Sequence, residues 1–89
     1  MTFQIIKDPQ AILPYGFDWS EWLGVDTIAT SNWSADTGIT IDSDANTTTV
    51  TSVTLSGGSA RHTYKIVNHI VTAAGLEDDR TITVDVKQR

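Results

Sequence analysis

Cysteine is absent from the 89 residues, which excludes a disulfide framework, a thiolate zinc site and a thiol nucleophile. Packing alone has to hold the chain. Basic residues are scarce, six against eleven acidic ones, for a net charge of −5. That sign opposes counterion release from a phosphate backbone and attraction to anionic lipid, so neither nucleic acid nor membrane is expected as a partner. Long apolar runs are missing too, and the first twenty residues carry Lys7, Asp8, Pro9, Pro14 and Asp18, which predicts neither a transmembrane helix nor a signal peptide. Leucine, the usual filler of helix faces, occurs four times, and from Val25 onward no stretch repeats apolar residues at helical spacing.

What abounds is β-branched. Threonine, isoleucine and valine account for 30 of the 89 residues, and their stiff χ1 suits a pleated surface. The chain reads as all-β, one domain over residues 1–89, with the main strands in 25–89. The clearest strand is 80–87, where Ile82, Val84 and Val86 alternate with Thr81, Thr83, Asp85 and Lys87. Residues 63–72 put Tyr64, Ile66, Asn68 and Ile70 on one face and Lys65, Val67, His69 and Val71 on the other, so periodicity does not settle which face is inward. The connector 73–79, with Gly75 and an acidic tip, joins these two as an antiparallel hairpin. Strands are also expected at 48–56, stopping at Gly57-Gly58, at 38–42 and at 26–33. Five or six strands with turn signals every 10–14 residues fit two packed sheets, since one sheet of this size would leave a face bare.

Residues 1–24 differ. An edge strand is expected at 3–7, but Asp8-Pro9 and Leu13-Pro14 read as sheet breakers. Asp18 is placed to cap a helical turn through Ser20-Glu21-Trp22-Leu23 that Gly24 ends. The segment is expected to form an irregular aromatic lid.

No motif carries catalytic chemistry. Asp42-Ser43-Asp44-Ala45-Asn46 matches the start of a calcium loop, but Thr47 stands where glycine is needed and Val53 where a bidentate glutamate is needed, which leaves a turn. His62 and His69 are about 23 Å apart along an extended strand, too far to share a metal. Asp18 and Glu21 superficially resemble a glycosidase pair, yet a domain this small offers no deep cleft. No catalytic, metal or cofactor-binding residue is therefore assigned, and no cofactor is expected. The aromatics are the largest apolar resource. Trp33 is expected in the core, with Ile66, Ile82, Val84 and Val86, and Tyr64 at a corner where its hydroxyl bonds back to the chain. Trp19, Trp22, Tyr15 and Phe17 are the candidates for a partner-binding surface, because aromatics concentrate at interface hot spots.

The run Lys7-Asp8-Pro9, Leu13-Pro14-Tyr15-Gly16-Phe17-Asp18-Trp19-Ser20-Glu21-Trp22-Leu23, Asp26-Thr27-Ile28, Ser31-Asn32-Trp33, Leu55-Ser56-Gly57-Gly58, Tyr64 and Asn68-His69-Ile70-Val71-Thr72, with Gly75 and Arg80, resembles small proteins of tailed-bacteriophage structural gene clusters. The likeness rests on order and spacing over nearly the whole chain. It implies an immunoglobulin-like antiparallel β-sandwich of about 6–8 strands and a non-enzymatic role as a fibre-to-tail adaptor. The partners implied are other virion proteins of the tail, neck, fibre or tailspike. It further implies a multicopy place in the virion after synthesis in the bacterial host cytoplasm. Capsid decoration or host-surface adhesion is the alternative, and the resemblance supplies no catalytic or cofactor residues.

Overall fold

The computed structural model describes residues 2–87. Seven strands and one helical turn follow in order: β1 (Thr2–Lys7), β2 (Leu13–Asp18), α1 (Ser20–Leu23), β3 (Ile28–Ala35), β4 (Ile39–Asn46), β5 (Val50–Gly57), β6 (His62–Thr72) and β7 (Glu77–Val86). They form two sheets, one with the order β1-β7-β6-β3 and one with the order β2-β5-β4. The molecule is an all-β sandwich.

Alternation decides the layers. In β6, Tyr64, Ile66, Asn68, Ile70 and Thr72 point inward, and in β7 the inward row is Ile82, Val84 and Val86. The β6–β7 ladder pairs Ile66 with Ile82 and Tyr64 with Val84, so each inward residue meets another on the neighbouring strand. From the opposite sheet, Val53, Leu55, Phe17 and Ile39 complete the core. Ile66, Ile82, Val84 and Val86 are at most 2% exposed. Trp33 is only half-buried: it packs against the core from β3 and lies parallel to the Phe17 ring at 5.9 Å.

Four expectations need correction. First, Leu13-Pro14 does not break the sheet. Among the described residues β2 is a strand whose only ladder partner is β5, and an edge strand tolerates the missing proline N–H on its open side. Second, the 42–46 segment is not a turn but the second half of β4, reached through a bulge between Ile41 and Ser43. Third, not every ladder is antiparallel: β1 runs parallel to β7, from Thr2↔Thr81 to Lys7↔Val86. Fourth, the acidic 77–79 stretch, expected in the hairpin connector, opens β7 instead.

At the end of the sandwich where β5 turns into β6, Tyr64 is held on three sides. Its hydroxyl accepts the Ser59 N–H at 2.9 Å. Gly38 and Gly58 flank the ring with positive φ of 109° and 90°, and a Cβ at Gly38 would stand 2.8 Å from Tyr64 Cε1. Lys7, fully buried at the same end, donates from Nζ to the carbonyls of Gly57 at 2.8 Å and Asp8 at 2.9 Å. Burial holds its ammonium below the usual lysine range, against the pull of Asp8 and Asp42.

Candidate interaction surfaces

The N-terminal aromatics divide between core and surface. Trp19 is wholly buried, and its Nε1 donates to Thr51 Oγ1 at 3.1 Å and Asn68 Oδ1 at 3.2 Å, bridging the two sheets. The Arg80 guanidinium lies over the Trp19 ring at 4.0 Å and donates to the Asp18 carbonyl at 3.1 Å. Phe17 is buried beside it, edge-on to Trp19 at 6.2 Å, and Tyr15 is half-buried against the core. Trp19, with no solvent contact, and Phe17, only 5% exposed, are therefore withdrawn from the partner surface, because a buried ring cannot be an anchor. Trp22 remains. It is 39% exposed and stands edge-on against Trp19 at 5.6 Å, so a buried ring fixes an exposed one.

The local chain explains that position. Asp18 Oδ1 accepts the Ser20 N–H at 2.9 Å, which starts α1, although the N-cap residue is Trp19 rather than Asp18 as expected. Gly24, at φ 63°, ends the turn. Trp22 then faces outward while Leu23 turns into the core.

Three connections meet at this end of the sandwich. The Ala73 N–H bonds the Thr27 carbonyl at 2.8 Å, the Ala74 N–H bonds Asp26 Oδ1 at 3.2 Å, and the Ile28 N–H bonds the Thr48 carbonyl at 2.9 Å. Besides Trp22 they present Val25, fully exposed, Leu76, 58% exposed, and Val50 at the start of β5. Around these lie Asp18, Glu21, Asp26, Glu77, Asp78 and Asp79. Hydrogen bonds from Ser20 lower the pKa of Asp18, and hydrogen bonding, the Thr72 side chain its first contributor, lowers that of Asp26. His69 sits between Asp79 and Glu77, and their hydrogen bonds, that of Asp79 foremost, raise its pKa.

A second set of exposed apolar side chains lies toward the other end, along the side where β1 and β2 run. Ile6, Ile12 and Leu13 are exposed there, beside a groove of about 730 Å³ that Ile5 and Tyr15 also line. Sequence reasoning missed Val25, Leu76 and Ile12. A signal existed for two of them: Val25 follows Gly24 and Leu76 follows Gly75, so each apolar residue sits on a turn that cannot reach the core.

Neither surface assembles a reaction centre. Among the described residues no group of three or more histidine or acidic side chains could hold a metal, and Asp18 and Glu21 both stand on an open surface. Such a sandwich is closed inside and apolar at two separated places outside. A family model described as podophage GP4 fiber-tail adaptor protein gp77 matches residues 7–85, and the chain belongs to that family. No curated protein matches the sequence.

Proposed function

We propose that the chain is a non-enzymatic adaptor of a phage virion, made in the bacterial host cytoplasm, that joins tail or neck components to a fibre or tailspike and works in several copies. The observation that carries this reading is the separation of the exposed apolar side chains into two patches, Trp22, Val25, Val50 and Leu76 on one end and Ile6, Ile12 and Leu13 toward the other. A linker needs two surfaces that do not overlap, one for each neighbour. The family match over residues 7–85 supports the same role. The strand neighbours β2-β5-β4 and β7-β6-β3, with Tyr64 bonded back to Ser59, support an immunoglobulin-like reading, in which B-E-D and G-F-C strands and a corner tyrosine hold those places. The fold would then be a single such domain.

The test is sedimentation of the purified chain with purified tail, neck and fibre subunits of its own phage. Co-sedimentation with at least one subunit is expected, and substitution in one patch should abolish binding to one neighbour and spare the other. Binding to none of the subunits refutes the reading. Immunogold label on capsid faces, instead of neck or tail, would replace it with a decoration role.

A further inference from the structure

Charge is unevenly distributed along the long axis. Among the described residues the loop end carries the six carboxylates named above and, besides His69, only Arg80, an excess as large as the net charge of −5 of the whole chain. The opposite end holds a hollow of about 540 Å³ with Ala60 and Val86 in its wall and Arg61, His62 and Lys87 around it. Its carboxylate, Asp85, is already engaged by the Thr63 hydroxyl and the Gln4 amide. Arg61 is the one non-glycine residue among the described ones with a positive φ, 68°, fixed by its N–H to the Val86 carbonyl at 2.8 Å. A fold that keeps an arginine in that strained region points to a use for where it projects.

We infer that the loop end of one copy docks into this hollow on a second copy, head to tail. Glu21 and Asp78 face Arg61 and Lys87, and Trp22 lies over Ala60, the Val86 side chain being turned into the core. The contact rests on the adaptor reading only in requiring several copies. It is heterologous, so each copy keeps one free end after the first contact. The molecule measures 42 × 21 × 19 Å, so an end face offers about 400 Å², half of the roughly 800 Å² per partner in a stable interface. One junction is therefore weak, and copies held near each other associate far more readily than free ones. The terminal copy keeps its loop end for one virion neighbour, and Ile6, Ile12 and Leu13 of every copy remain for the other, with Lys87 bordering both the hollow and the groove beside them.

Sedimentation velocity of the full chain tests this. Association should rise with concentration and weaken with added salt. Arg61→Glu with Lys87→Glu should lower the association constant at least about tenfold, and so should Glu21→Lys with Asp78→Lys. An equimolar mixture of the two variants should associate again, because the reversed charges at positions 21 and 78 of one then face the reversed charges at positions 61 and 87 of the other. A chain that stays monomeric at every concentration overturns the inference, as do variants that associate like the parent or a mixture that does not associate. A monomeric chain that still binds tail or fibre subunits removes the head-to-tail contact and leaves the adaptor reading intact; a self-associating chain that binds neither does the reverse.

Discussion

Asn68→Leu probes the polar centre that joins the two sheets. Asn68 is fully buried on β6, its Oδ1 accepting from Trp19 Nε1 at 3.2 Å and Thr51 Oγ1 at 2.6 Å, its Nδ2 donating to Ser31 Oγ at 3.0 Å and the Asn32 carbonyl at 3.2 Å. All of its hydrogen-bonding capacity toward protein is used. Leucine is near in volume, so little cavity forms. The Thr51 hydroxyl, however, loses its acceptor and the Asn32 carbonyl its side-chain donor, while Trp19 keeps Thr51. At about 1–3 kcal/mol for each group left without this partner, the loss is about 2–6 kcal/mol, with the part-buried Asn32 carbonyl at the low end. A chain of this length has a total stability on the order of 5–10 kcal/mol, so the urea midpoint should fall by a large fraction.

A double-mutant cycle with Thr51→Val separates this account from simple loss of packing. Thr51→Val alone leaves Trp19 with Asn68 as its only acceptor and is destabilising. In the Asn68→Leu background the same change removes a stranded hydroxyl, so it should cost less or help. Coupling of about 1–2 kcal/mol is expected, well above the roughly 0.5 kcal/mol scatter of independent sites. Additive effects, or an unchanged midpoint for Asn68→Leu, would refute the reasoning.

Trp33→Phe keeps the stack on Phe17 and deletes an indole N–H that is buried without a hydrogen-bond partner, so its unfolding midpoint should match or exceed that of the parent chain; Trp33→Ala should lose about 2–4 kcal/mol in the same urea titration. Histidine NMR should show His69 titrating above the ordinary imidazole value, with Asp79→Asn lowering it more than Glu77→Gln. Since its folded pKa is raised, the stabilisation it supplies is complete below the unfolded value and disappears as pH climbs through the folded one. Lys7 has the opposite sign: between its depressed folded pKa and its ordinary value the unfolded chain binds more protons, so alkaline pH should improve the parent's stability relative to Lys7→Met in paired urea titrations.

Alternation made β5, β6 and β7 legible as strands, and in β5 and β7 one regular row marks the buried face, whereas β6 is apolar on both faces and its inward side is decided by packing. It is equally present through β2 and on to Trp19, where Leu13, Tyr15, Phe17 and Trp19 follow at every second position, but Pro14 reads as a breaker. Proline opposes a central strand, and β2 is an edge, so the periodic signal governs. β4 was cut short for the reverse reason: past Ile41 it has no apolar row, and an edge strand needs none. The burial of Trp19 could not be read locally, since its acceptors lie 32 and 49 residues away. With its neighbours unknown, a tryptophan beside a solvated helical turn looks the same whether it anchors a partner or closes a core.

How the cations are used is what gives the surface its character. Arg80, the only arginine or lysine among the loop-end acids, is held over Trp19 and bonded to the Asp18 carbonyl, and Lys7 is buried on two main-chain carbonyls at the other end. Both tie the layers or corners together. Of the described basic side chains, Arg61, Lys65 and Lys87 are left exposed, and two of these border the hollow. The fold thus draws internally on the charges that would have blunted its acidic end, and the remaining asymmetry follows from how a small cysteine-free core is closed. Neutralising Arg80 would then act twice: it would loosen the lid over Trp19 and make the acidic end more negative. A head-to-tail contact that failed in Arg80→Gln through unfolding, yet persisted in Arg80→Lys, would locate its role in the packing of that end and not in the contact itself.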